Sequence, residues 1–263
     1  MEDWPFRGAE AVEAGALSAR QLKSFYVAVY PGVYLPRWGE VSAVQRARAA
    51  WLWSRRRGIL AGVSASVLLG AKWIEPANAA ELVHANRRPP DMLTVHTDTV
   101  LAAETCVVDG MRVTTAARTG FDLGRRLPLT QGVQRVDALM RATGLQRADI
   151  EGVAGAHPGV RGAEALRRML PLVDGGAESP YETLTRLILV CAGIPAPRTQ
   201  LPVADRYGFV VAYVDMGWPE QRVAVEYDGA QHWTDPRQRR RDIERLADLE
   251  ALGEDPAVGR SVL

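Results

Sequence analysis

Three carboxylates and an imidazole fall close together late in the chain: Asp215, Glu226, Asp228 and His232, within VDMGWPEQRVAVEYDGAQH (214–232). Much of the rest of that run has the apolar alternation of strands, and two are predicted, GFVVAYVD and RVAVEYDG, joined by MGWPEQ. With the turn centred between Glu220 and Gln221, facing residues have numbers that sum to 441, so Asp215 faces Glu226. Residues so opposed have Cβ atoms about 5 Å apart. Period-two alternation puts Asp228 on the Glu226 face, away from Val223, Val225 and Tyr227. Like charges in that position are unfavourable unless protonated, solvated or bridged by a cation. A hard divalent ion such as Mg²⁺ takes carboxylate oxygens and activates water beside a phosphodiester. His232, just past the strand, has the chemistry of a general acid or base. The alternative is a solvated hairpin end in a shifted register, beside a histidine without a role.

The flanking elements must position these groups. Ser179-Pro180-Tyr181-Glu182 opens a helix, with Ser179 as cap, Pro180 at the first position and Glu182 reaching back to the Ser179 N–H. Capping alone accounts for Glu182. Leu184, Leu187, Ile188 and Cys191 then form one face, and Gly193 is the stop. After the strands, DPRQRRRDIERLADLEALG is a helix with Ile243, Leu246, Leu249 and Leu252 on its apolar side. Arg239, Arg240 and Arg241 in its basic half suit a phosphate backbone, or simply balance Asp242, Glu244 and Asp248.

Upstream, Ser18 caps a short helix, LSARQLKSFY, and a turn at Pro31-Gly32 lies in VYPGVYLPRW. Two short helices and a small β-turn fit a winged helix-turn-helix, or any small helical cap. A helix over VSAVQRARAAWLW ends in Arg55-Arg56-Arg57, expected to be a solvated helix end. AELVHA, MLTVHT and ETCVVDGMRVTT predict strands, with a hairpin at Asp109-Gly110. Helices follow at 116–126 and 129–142, and Gly175-Gly176 marks the main boundary. His84, His96 and His157 are isolated and expected to be structural or at the surface.

The 263 residues allow two or three small domains, and the formal net charge of +1 confines any nucleic-acid affinity to local patches. Cys106 and Cys191 form no CxxC pair, which argues against zinc or a disulfide scaffold. No signal peptide or membrane span is visible, so a cytoplasmic protein is expected.

SPYETLTRLILVCAGIPAP, the run from Asp215 to His232 and RRRDIERLADLEALG together resemble the DUF559 domain, over roughly residues 176–253. That family is similar to the very-short-patch-repair endonucleases of the PD-(D/E)xK, restriction-endonuclease-like fold. The resemblance implies an α/β domain with a mixed sheet, Mg²⁺ held by Asp215 and Glu226, and Glu182 as an auxiliary acid. Asp228 stands where the wider superfamily has lysine, so no water-activating lysine is carried over. His232 matches the family's trailing histidine. After LEALG the family continues with a tryptophan and a final apolar strand, whereas EDPAVGRSVL, with Pro256 and Gly259, is a poor strand.

QLKSFYVAVYPGVYLPR, GVSASVLLGAKW and VDGMRVTTAARTGFDLGRRLPL are similar to segments of AbiEi-type antitoxins. That resemblance implies DNA binding, with Arg20, Gln21 and Lys23 on a recognition helix, and a partner operon encoding a nucleotidyltransferase-like toxin. The expected architecture is α+β and multidomain: a winged helix over 1–76, a small α/β middle domain over 77–175 and an endonuclease-like domain over 176–263. The expected function is a DNA-binding protein with a Mg²⁺-dependent endonuclease domain. The alternative is an AbiEi-type antitoxin or repressor whose nuclease-like domain is inactive.

Overall fold

The computed structural model describes residues 4–227, except Gly39, Arg87, Asp205 and Arg206. The chain divides into two compact units, Met1–Val173 and Asp174–Leu263. Both helices and strands are well represented, and the fold is mixed α/β.

The first unit begins with β1 (Phe6–Arg7), α1 (Gly8–Glu13), α2 (Ala19–Phe25), β2 (Tyr26–Tyr30) and β3 (Val33–Pro36). The strands form an antiparallel sheet in the order β1-β3-β2. Ser18 starts α2 as expected: its Oγ accepts from the Gln21 N–H, and the Gln21 side-chain oxygen accepts from the Ser18 N–H. Next come α3 (Ala43–Trp53), β4 (Ile59–Leu60), α4 (Gly62–Leu68), β5 (Ala80–Val83), β6 (Leu93–His96), β7 (Thr105–Val108) and β8 (Met111–Thr114). Five of these strands make a mixed sheet, β6-β5-β4-β8-β7, parallel at β5–β6 and β4–β8 and antiparallel elsewhere. The β7–β8 turn has Asp109 and Gly110 both at positive φ, 48° and 75°, as a tight Asp-Gly hairpin requires. The helices α5 (Ala116–Arg126), α6 (Leu129–Thr143), α7 (Arg147–Ala156) and α8 (Ala163–Met169) complete this unit.

The boundary expected at 76/77 falls inside this unit. β4, from before it, lies at the centre of a sheet whose other strands come after it. One apolar core runs from Tyr30 and Val33 through Ala47, Ala50 and Leu60 to Leu82, Leu93 and Val113, so the hairpin and the sheet bury each other.

A buried ionic network anchors α5. Arg118, 1% exposed, donates to Asp122 Oδ2 through Nε at 3.0 Å and, through Nη1, to Glu104 and to the Thr99 carbonyl. His157 Nε2 lies 2.5 Å from Glu104 Oε1. Arg125 Nε donates to Asp122 Oδ1 at 2.9 Å, and both Arg125 and Arg126 reach Asp98. His96 meets Glu81 at 2.6 Å, so His96 and His157 are structural partners of acids.

The second unit contains α9 (Pro180–Cys191), β9 (Arg198–Ala204), β10 (Val210–Trp218) and β11 (Val223–Val225). Its described strands form an antiparallel meander, β11-β10-β9. A mixed sheet was expected here; among the described residues the mixed sheet is that of the first unit. β9 has no alternation in RTQLPVA, but an edge strand tolerates Pro202, whose missing N–H need not join a ladder. Gly176, at the expected boundary, sits so close to β9 that an added Cβ would overlap Thr199 Oγ1. Asp174 Oδ1 ties that loop down, accepting from the Gly176 N–H at 2.8 Å and the Thr199 hydroxyl at 2.9 Å. Among the described residues no helix is long and apolar enough to cross a membrane.

Candidate functional site

The ladder between β10 and β11 pairs Met216 with Val225, Gly217 with Ala224 and Trp218 with Val223. Each pair sums to 441, the register expected from the turn. One step further sets Asp215 opposite Glu226, and opposed residues of an antiparallel pair share a face. The chain stays close at this step, for the Tyr227 N–H donates to Asp215 Oδ2 at 2.7 Å. Val214 and Met216, at 2% and 0% exposure, turn to the other face and are buried, while Asp215 is half-buried between them.

Helix α9 carries Glu182, the remaining candidate acid among the described residues. Ser179 caps it as expected, its Oγ accepting from the Glu182 N–H at 3.2 Å. The Glu182 carboxylate does not return to the Ser179 N–H. Its Oε2 accepts from the Glu178 N–H instead, at 2.8 Å. The buried stripe of α9 is Glu182, Thr183, Arg186 and Leu187. This differs from the expected apolar face of Leu184, Leu187, Ile188 and Cys191: Ile188 is 61% exposed and Cys191 is also exposed. The helix therefore turns an acid and an arginine inward at positions i and i+4, against its own hydrophobic pattern. Burial pushes the Glu182 carboxyl above the ordinary glutamate range, opposed by the hydrogen bonds from Glu178 and Ser179; the charges of Asp215 and Glu178 push it further up. Asp215 is near enough for its charge to act on Glu182. Tyr181, next to Glu182, stacks on Tyr227, with ring centroids 5.2 Å apart and planes 3° from parallel. This stack joins the start of α9 to the end of the hairpin. Two aromatic residues, each beside a candidate acid, were its only trace in the sequence.

Among the described residues no group of three or more acidic, histidine or cysteine side chains is gathered as a metal site. Asp228, His232, Arg239, Arg240 and Arg241 lie outside the described residues. In the first unit, Arg20, Gln21 and Lys23 are all exposed on α2. The Gln21 side-chain oxygen is engaged by Ser18, whose N–H and hydroxyl both donate to it at 2.9 Å. Arg20 and Lys23 are the cations that α2 offers to solvent.

The chain is similar to two Mycobacterium tuberculosis proteins. They are the uncharacterized protein MT2308 of strain CDC 1551 / Oshkosh and the uncharacterized protein Rv2248 of strain H37Rv. Each is 34% identical over 146 residues, 56% of this chain and 54% of the relative. The chain thus spans about half the length of the curated relatives it matches. No family model matches it, and no solved structure matches it either.

Proposed function

We propose that this protein binds DNA through its N-terminal helices and hairpin, and that its second unit holds a Mg²⁺-dependent centre for phosphodiester hydrolysis. The observation that carries the second half is the ladder register, which sets Asp215 opposite Glu226, with Glu182 charge-coupled to Asp215. The donor set suits the ion, since Mg²⁺ prefers hard carboxylate oxygens, and a cation there would offset the burial, and the smaller repulsion from Asp215, that raise Glu182. Asp215 and Glu226 would hold the ion, with Glu182 as the auxiliary acid, Asp228 on the Glu226 face and His232 as proton donor or acceptor. Bound Mg²⁺ supplies Lewis-acid stabilisation of the negative charge that builds on a phosphate under attack. The chain's own part is positional: the Tyr227 N–H orients Asp215, and the Glu178 N–H and the α9 cap fix Glu182. Helix, antiparallel meander and a further helix-forming sequence suit the resembled DUF559 domain. The basic run Arg239–Arg241 would carry substrate phosphates.

For the first half, α1, α2 and the β2–β3 hairpin, with β1 as third strand, have the order of a winged helix-turn-helix. Arg20 and Lys23 on α2 would meet DNA, and Gln21 is left with its amide N–H groups. Plasmid nicking tests the catalytic reading: wild type cuts with Mg²⁺, stops with EDTA, and Asp215→Asn and Glu226→Gln do not cut. Wild-type protein that never cuts with any divalent metal rejects it.

A second reading is an AbiEi-type antitoxin or repressor with an inactive nuclease-like domain, partnered by a nucleotidyltransferase-like toxin of its operon. What favours it is Asp228, which stands where the wider superfamily of the resembled domain has lysine. Salt-dependent binding to its own promoter without cleavage is the outcome that selects it.

A further inference from the structure

The Arg55-Arg56-Arg57 run is not a uniformly solvated helix end. Arg56 turns back onto Glu10, its Nη1 and Nη2 each donating to one carboxylate oxygen at 2.6 Å. Arg7 Nη1 donates to the same carboxylate at 2.7 Å. Arg55 and Arg57 form no ion pair among the described residues and line a cleft of about 470 Å³ together with Arg7, Trp53 and His84. Two of these four arginines, Arg7 and Arg56, meet the one carboxylate of Glu10, and no acid lines the cleft, so it is electropositive. Its volume lies inside the roughly 300–1,000 Å³ of small-molecule sites.

The backbone is shaped to present these side chains. Arg55 and Arg56 both have left-handed φ, 56° and 62°, which residues bearing a Cβ seldom adopt unless their surroundings enforce it. Ser54 enforces it: its hydroxyl donates to the Trp51 carbonyl at 2.6 Å and accepts from the Gly58 N–H at 2.9 Å, clamping the turn. Gly58 has no room for a side chain without crowding Ser54 and Leu82. His84 Nδ1 accepts from the Asn86 N–H at 3.0 Å, so a neutral ring carries its proton on Nε2, as a donor. Half-buried Trp53, whose ring meets His84 edge-on at 6.1 Å, adds an aromatic wall beside the guanidiniums.

We propose that this cleft binds a nucleoside phosphate, its phosphate on Arg55 and Arg57 and its base against Trp53 and the apolar wall of Leu52 and Val33. The proposal is independent of the carboxylate centre in the second unit. Isothermal titration of the full chain with ATP, without divalent cations, tests it. Adenosine, inorganic phosphate and a short DNA duplex are the comparison ligands. One ATP per chain is expected, with phosphate weaker and adenosine alone giving no measurable heat. Arg55→Ala/Arg57→Ala weakens ATP binding roughly tenfold or more, while Arg20→Ala/Lys23→Ala leaves it unchanged. Thermal melts check that both double variants fold. The His84 ring resonances shift on ATP addition in the wild type. No ATP binding by the wild type, or ATP affinity unchanged in Arg55→Ala/Arg57→Ala, overturns the proposal. Loss of duplex binding but not of ATP binding in that variant also overturns it, assigning the cleft to DNA.

Discussion

Glu104 in the first unit and Glu182 in the second are both nearly buried, at 5% and 7% exposure, yet their surroundings act on them in opposite directions. Burial alone would raise both carboxyls. At Glu104 the Leu101 N–H, His157 and Arg118 outweigh it and hold the group below its usual range. At Glu182 the hydrogen bonds of the Glu178 N–H and the Ser179 side chain do not outweigh it, and the charges of Asp215 and Glu178 add to the rise. The first acid is a structural ion whose counter-charges are supplied by the chain. The second is an acid whose burial outweighs its hydrogen bonds, which the proposed cation would offset. Buried acids thus divide by what neutralises them, which burial and residue type alone do not reveal.

The contrast is broken most severely on the structural side. Arg118→Ala leaves Glu104 and Asp122 buried without their main counter-charge and is expected to cost about 3–5 kcal/mol, read by urea denaturation. A loss below about 1 kcal/mol would mean the network is not what anchors α5. Next, Asp215→Asn should lower Mg²⁺-dependent cleavage by roughly 100-fold or more with an unchanged thermal midpoint. A cutting rate equal to wild type removes Asp215 from the chemistry. A smaller effect is expected for Glu182→Gln. A carboxyl raised by folding is favoured at low pH and disfavoured once pH passes the unfolded value near 4.5. The variant should therefore melt higher than wild type at pH 7, by a few degrees at most. The gap should close below pH 4.5, and an equal gap at all pH values would deny the burial effect. Smallest is Glu10→Gln. Arg56 and Arg7 hold the Glu10 carboxyl down at about 2, so its contribution is present above pH 4.5 and lost as pH falls toward 2. Wild type should exceed the variant by under about 1 kcal/mol at pH 7, with the difference fading on acidification.

Much of the architecture was legible because local signals agreed with tertiary packing. Ser18 and Ser179 cap as their spacing implies, Asp109-Gly110 turns a hairpin, and the MGWPEQ turn sets the register of β10 on β11. Where the sequence misled, a non-local constraint overrode a local one. The hydrophobic periodicity of α9 pointed Ile188 inward, but the helix buries Glu182 and Arg186. β4, two residues long, gives no period to detect, yet it welds the two segments expected as separate domains into one sheet. The partners of Arg118 lie up to 39 residues away, so VTTAARTGFDLGRR disclosed a helix and not its ionic network.

The acids around Asp215 are proposed to form a seat for a cation. Isothermal titration with Mn²⁺, as a stand-in for Mg²⁺, measures this without depending on catalysis. One ion per wild-type chain is predicted, abolished by Asp215→Asn and by Glu226→Gln and left intact by Arg118→Lys. Undiminished Mn²⁺ binding in Asp215→Asn, or none in the wild type, would contradict it.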